Sequence, residues 1–270
     1  MGMLYNRLLI ALNEEDPEST YYFIALTMLQ HLEELGELSI GQLAELCAVS
    51  KSTISKFVRH IGYEDFADFR YATDFREDKY GLGYTYDRNV MGYIESRSLD
   101  AYLLTVQHDI IATYQSLDWD AVDRLVRDLA QYQKVAAFGL LFSETAALDL
   151  QMKLVYSKKF IVTNLNDLKQ DNYIESAGED TLIIVFSDSG GFLDKYPQIA
   201  DFSYKLAFSK TRARVVLITS NPEMERDPRV AYCVRYQKTS ELCTHRIIYG
   251  ILTDIIAYKY REFIAKQGEN

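Results

Sequence analysis

A chain of 270 residues is long enough for two domains of ordinary size, and 48% apolar content with only 4 Pro and 13 Gly indicates folded structure. Its 29 basic against 39 acidic residues give a net charge of −10, which opposes nucleic-acid binding spread over the whole surface. No run of about 18 apolar residues offers a membrane span, and Cys47, Cys233 and Cys243 lack CxxC spacing, as suits a reducing cytosol without disulfides or structural zinc.

The first 20 residues carry one cation, a short apolar run and then acids, without a small-residue cleavage site, so no signal peptide is expected. Residues 3–12 read as a short amphipathic helix with Leu4, Leu8 and Leu9 inward. Asp16-Pro17 is placed to start a longer helix, with Tyr22, Ala25, Leu26, Leu29 and Leu32 at spacings of three and four and Gly36 at its end. Ser39-x-x-Gln42 is a capping box opening the next helix.

Residues 43–61, LAELCAVSKSTISKFVRHI, have the rhythm of a helix-turn-helix. Leu43 and Ala44 face inward, a turn passes through Cys47, Ala48 and Val49, and Ser50 caps a second helix with Ile54, Phe57, Val58 and Ile61 on one side. Ala48 stands where glycine is usual, at a cost on the order of 1 kcal/mol if it takes positive φ. The other side of the second helix offers Lys51, Ser52, Thr53, Ser55, Lys56 and Arg59, with no carboxylate. Screening confines exposed charges to about 8–10 Å at ordinary salt, so this local excess outweighs the acidic total. A hydroxyl-rich start followed by cations suits a major groove, with Lys51, Ser52, Ser55 and Lys56 at base edges and Thr53 and Arg59 nearer phosphates. The plainer alternative is a helical hairpin with a basic solvent face. Gly62 closes the helix, and Tyr63, Phe66, Phe69 and Phe75 supply aromatic core, so an all-helical domain is expected over residues 1–77.

Residues 78–98 hold three glycines and scattered tyrosines without sustained period, and read as a linker in which Gly81 and Gly83 provide flexibility. Helices are expected at 99–114 and 119–132, the second packing through Val122, Leu125, Val126 and Leu129. Strands then alternate with helices: strands at 135–138, 160–162, 181–186, 215–219 and 232–235, with helices through Val155, near 196–208 and at 240–265. Continuous apolar strands between helices predict a doubly wound α/β domain over 99–270, its ligand at the carboxyl ends of the strands. There Gly139 and Ser143 follow the first strand, and Ser187, Ser189, Gly190 and Gly191 follow the third. Hydroxyls and free backbone N–H groups at a helix start can hold an anion without a lysine, although serines there also serve as caps and turn residues.

On these residues the chain resembles the RpiR family of bacterial sugar-metabolism regulators, over nearly its whole length. The N-terminal resemblance runs through LAELCAVSKSTISKFVRHIGYEDFADFR, and the C-terminal part is similar to a sugar isomerase (SIS) domain at VAAFG, TLIIVFSDSGG and VVLITSNP. The resemblance implies a five-stranded parallel sheet, a sugar phosphate held by Ser187 and Ser189 with help from Ser143, and pairing of subunits. Where the SIS pattern has a second glycine this chain has Leu141, and where it has a hydroxyl or acid after the Ser-Gly it has Phe192. Asp188 adds a negative charge between the serines, and Lys195 is a candidate compensating cation.

SIS domains also occur in aldose–ketose isomerases, which need a carboxylate or histidine to move a proton between adjacent carbons. Glu241 and His245, four apart, could share a helix face, but they read more plainly as a helix-start acid and a packed or surface histidine. A single such domain behind a DNA-binding motif fits a sensor better than a catalyst. The expectation is a cytoplasmic regulator, not an enzyme, without cofactor or metal, that binds operator DNA and a phosphorylated sugar as a homodimer or homotetramer. A module that has kept only oligomerisation is a further alternative.

Overall fold

The computed structural model describes residues 2–73, 89–194 and 207–268. The chain divides into two compact units, 1–88 and 89–270. The first is all-helical: α1 (Gly2–Glu14), α2 (Thr20–Gln30), α3 (Ile40–Leu46), α4 (Lys51–His60) and α5 (Phe66–Ala72). Its core gathers Leu4, Leu8, Ile24, Met28, Leu43, Ile54, Phe57 and Phe69, one stripe from each helix. In α1, Ile10 is buried where Leu9 was expected to be, and Arg7 is buried with it. Arg7 donates to the Gly62 carbonyl at 3.0 Å and lies 4.6 Å over the Tyr63 ring, which ties α1 to the end of α4. The second helix does not start at Pro17. Ser19 caps it by accepting from the Tyr22 N–H, and Pro17 sits in the preceding turn. Phe75 and Glu77 lie outside the described residues.

The second unit opens with a π turn at 89–91, then α6 (Gly92–Ser96), α7 (Leu99–Ser116) and α8 (Trp119–Gln131). Of the expected linker, residues 78–88 (Gly81 and Gly83 among them) lie outside the described residues, while 92–96 are helical. Beyond α8 come β1 (Lys134–Phe138), α9 (Phe142–Val155), α10 (Asp167–Ser176), β2 (Thr181–Phe186), α11 (Ala207–Lys210), β3 (Arg214–Thr219), a 3-10 turn (Pro222–Arg226), β4 (Tyr232–Arg235) and α12 (His245–Gly268). Helix α10 was not expected. The helix foreseen at 196–208 is described only in α11, with Lys195 outside the described residues. The last helix begins at His245, five residues later than its apolar period suggested.

The sheet has four described strands, all parallel, in the order β1-β2-β3-β4. The expected strand at 160–162 is a single bridge. Val162 donates to Val135 O at 2.9 Å and accepts from the Ala137 N–H at 2.8 Å, beside β1. Lys158 at φ +57° precedes it, and the Asn164–Asn166 turn that caps α10 follows, so too few extended residues remain for a ladder. One apolar layer packs α8, α9 and α12 on one side of the sheet, and a second layer with Phe138, Ile174, Val185, Phe208 and Leu217 covers the other.

Two helices of this unit are apolar on the solvent side. Helix α7 buries Val106, Asp109 and Thr113 but exposes Leu99, Leu103, Leu104, Ile111 and Tyr114. Helix α9 exposes Phe142, Leu148, Met152 and Val155, continued by Tyr156, Phe160, Val162 and Leu165.

Candidate functional site

The first candidate surface is α4. Ser39 and Gln42 close a reciprocal capping box on α3, with Gln42 N–H to Ser39 Oγ at 3.3 Å and Ser39 N–H to Gln42 Oε1 at 2.9 Å. Ala48 turns the chain at φ +53°, and Ser50 accepts the Thr53 N–H at 3.1 Å to start α4. Ile54, Phe57 and Val58 are fully buried, which fixes the rotation of the helix. Lys51, Ser52, Lys56 and Arg59 are therefore exposed, and Thr53 and Ser55 half-buried. Ser50, Ser52 and Thr53 share hydroxyl hydrogen bonds of 2.8–2.9 Å at the helix start, and Lys51 leans over Gly41 of α3. The helix itself carries no carboxylate and is anchored from beneath; at its C-terminal end His60 Nε2 meets Glu15 Oε1 at 2.7 Å.

The second lies where β1 and β2 end. From β1 the chain passes through α9 to the Val162 bridge on one side, then through α10 to β2 on the other. This reversal is a topological switch point, where open parallel sheets hold their ligands. Gly139 and Ser143 follow β1, and Ser187, Ser189, Gly190 and Gly191 follow the neighbouring β2. A side chain at Gly139 would meet the Ser143 backbone at 2.6 Å, and one at Gly190 (φ +82°) would meet Met224 at 2.4 Å, so both positions require glycine. Leu141, at φ +53°, precedes α9 without offering a cap.

The loop differs from the expected nest of free N–H groups. Gly190 N–H bonds Ser187 O, Gly191 N–H bonds Ser189 Oγ, and Phe192 N–H bonds Ser187 Oγ. A turn at 191–194, not a described helix, follows. Each serine hydroxyl accepts one backbone bond and keeps its own proton to donate. Ser189 is exposed, whereas Ser187 and Ser143 are buried. Phe192 packs on Phe208, 5.6 Å between ring centroids, and belongs to the core.

Behind these serines lies a polar cluster that the sequence reading did not assemble. Asp188 Oδ1 accepts from Tyr236 at 2.6 Å and Oδ2 faces Lys238 Nζ at 2.9 Å, with His245 Nδ1 at 4.0 Å. Burial works to raise the Asp188 pKa, but Lys238 and the Tyr236 hydroxyl outweigh it and hold the carboxyl below the usual carboxylate range. Its negative charge is thus matched inside the protein. Burial pushes His245 the other way, below its ordinary value, against a smaller opposing pull from Asp188. Tyr249 is fully buried, with Tyr236 and Ser143 beside its hydroxyl. Glu241 is exposed and lies before α12, so it does not share a helix face with His245. The sequence signal for the cluster was weak, because Asp188 and Lys238 are fifty positions apart.

Among the described residues no group of His, Cys, Asp and Glu could hold a metal ion, and no described helix is long and apolar enough to cross a membrane. Residues 18–75 match the model of the helix-turn-helix domain of the rpiR family. An HTH-type transcriptional regulator in the aarA 3′ region of Providencia stuartii is 22% identical over 196 residues, 72% of this chain and 67% of its own length. Among solved structures, Vibrio vulnificus NanR complexed with ManNAc-6P is 15% identical with a TM-score of 0.49, over 98% of this chain and 97% of that one. The sugar isomerase domain of an RpiR transcription factor from Sphaerobacter thermophilus is 12% identical with a TM-score of 0.43, covering 64% and 99%. The match at 18–75 spans the capping box, the Ala48 turn and the basic face of α4, and the N-terminal unit of this chain is a helix-turn-helix domain of the rpiR family.

Proposed function

We propose that the chain is a cytoplasmic transcriptional regulator of sugar metabolism whose α4 enters the major groove of operator DNA and whose second unit senses a phosphorylated sugar. The exposed basic face of α4, a helix with no acid of its own, lies inside the rpiR match and carries the DNA half of the reading. Lys51, Ser52, Ser55 and Lys56 are assigned to base edges, Thr53 and Arg59 to phosphates, and Ser50 to the cap that orients them. The sensing half rests on the switch point between β1 and β2. There Ser143 on one side, and Ser187 and Ser189 on the other, would hold the phosphate through hydroxyl donors, with Gly139, Gly190 and Gly191 shaping the backbone that presents them. Catalysis is not part of this reading.

Helix-turn-helix domains gain discrimination by pairing half-sites, each mismatched base pair costing about 1–3 kcal/mol. The apolar face from Phe142 to Leu165 suits that pairing. Eight large apolar side chains from Phe142 to Leu165 are exposed, with Leu148, Met152 and Val155 in one stripe of α9, and apolar exposure on this scale marks interaction surfaces. We assign this face to a second copy of the chain, in a homodimer or homotetramer.

The test is retention of genomic fragments on the full chain, followed by footprinting with and without phosphorylated sugars, ManNAc-6P included. Discrete sites whose occupancy changes with one sugar phosphate are expected. Lys56→Ala should weaken the specific sites by about 1–3 kcal/mol while the protein stays folded. Equal affinity of the variant for those sites removes Lys56 from the readout, and absence of any discrete site rejects the regulator.

A further inference from the structure

The segment between β4 and α12 is held from both ends of the regulatory problem. On the ligand side, Lys238 Nζ pairs with Asp188 of the Ser187–Gly191 loop and also donates to Leu242 O at 3.1 Å. On the other side stands Asn89, the first residue of the second unit. Its Nδ2 donates to Glu241 O at 3.0 Å, and its Oδ1 accepts the Cys243 N–H at 2.7 Å. Between them Asp109, fully buried on α7, accepts the Thr239 N–H at 2.7 Å, the Ser240 N–H at 3.0 Å and the hydroxyls of Thr239, Ser240 and Thr244. A buried carboxylate satisfied by five donors from six consecutive residues leaves that segment little independent freedom.

We propose that Asp109 and Asn89 are positioning residues that lock 239–244 into one piece between the ligand loop and the point where the chain enters from the DNA-binding unit. A ligand that draws on the hydroxyls of Ser187 or Ser189 shifts Asp188. Lys238 follows through its ion pair, and the piece passes the shift to Asn89. Thermodynamically, each end then biases the other by the same factor. The proposal rests on the ligand site assigned above only for its input. The mechanical link stands on the contacts themselves.

Hydrogen exchange on the full chain, read by mass spectrometry, separates the two. Without ligand, Asp109→Ala and the milder Thr244→Val should each speed exchange of 239–244 and of 89–97 together, by about tenfold for the alanine variant, while β2 keeps its protection. Asn89→Ala should free 89–97 and leave Asp109 holding 239–240. In a second arm, inorganic phosphate or ManNAc-6P should slow exchange at 187–191 and at 89–97 in the parent chain, and only at 187–191 in Asn89→Ala. Loosening of 239–244 with 89–97 unchanged overturns the coupling, as does an Asp109→Ala variant that loosens neither. If the ligand-free coupling is seen but no phosphate compound protects 187–191, the link stands and the ligand assignment fails.

Discussion

His245 and Asp188 sit within 4.0 Å of each other, yet their environments act on them differently. Burial pushes the histidine below its ordinary range, and Lys238 with Tyr236 pulls the aspartate below the usual carboxylate range. The unfolded chain takes up a proton on His245 below its ordinary value near 6.5, and the folded chain resists doing so. Protons then bind the unfolded state in excess, and the contribution of His245 to stability, complete above about pH 6.5, is lost as pH falls toward the folded value. The share from Asp188 is lost only at lower pH, below the carboxylate range. Urea midpoints should therefore drop between pH 7 and 5.5 in the parent chain and drop less in His245→Asn. An equal drop in both would show that another group controls that window. Neither residue announced this role in the sequence. Local pattern ranked His245 as a packed or surface histidine, and only the parallel register of β2 to β4 brings Asp188, Tyr236 and Lys238 together.

Elements whose signals are local were readable. The Ser39 box, the Ser50 cap and the buried stripe of α4 depend on neighbours within four positions, and each forms as its spacing implies. At the α3–α4 junction, Ala48 at φ +53° carries a steric cost of about 1–2 kcal/mol that glycine would not. Ala48→Gly should stabilise the N-terminal unit by about 0.5–1 kcal/mol after the extra unfolded-state entropy of glycine is counted. Chemical denaturation checks this, and a loss of stability would mean that the alanine methyl group packs usefully. Helix α10 has no periodic signal in the sequence, because DLKQDNYIES carries almost no apolar stripe. It buries Asp167, Gln170 and Asp171, and the Gln170 amide reaches Gly139 O and Asn164 O. Polar burial has no periodic hydrophobic signature. The lost fifth strand has a different cause, since three apolar residues resemble a strand whether or not the flanking turns leave it room.

For the whole molecule, the alternation of elements was enough for a helical domain followed by a parallel α/β domain, but not for what each surface meets. Apolar residues on the outer side of α9 were indistinguishable in sequence from core, since a helix apolar all round reads as buried. The assignment of that face to a second copy makes a definite prediction. Met152, 61% exposed, lies between Leu148 and Val155 on the outer side of α9. Met152→Glu should weaken self-association by at least about 100-fold, because a carboxylate would have to be buried without a partner. Light scattering across a dilution series would read the change, and a parent chain that is monomeric at micromolar concentration would sink the assignment.

With the outer side of α9 assigned to a second copy, the durability of the chain would depend on its abundance. Newly made protein in a cell holding a few tens of copies would linger singly, less resistant to proteolysis and poorer at gripping paired half-sites, until synthesis raised the concentration past the association threshold. Gene dosage would then be read alongside the sugar signal, through the greasy flank of one helix.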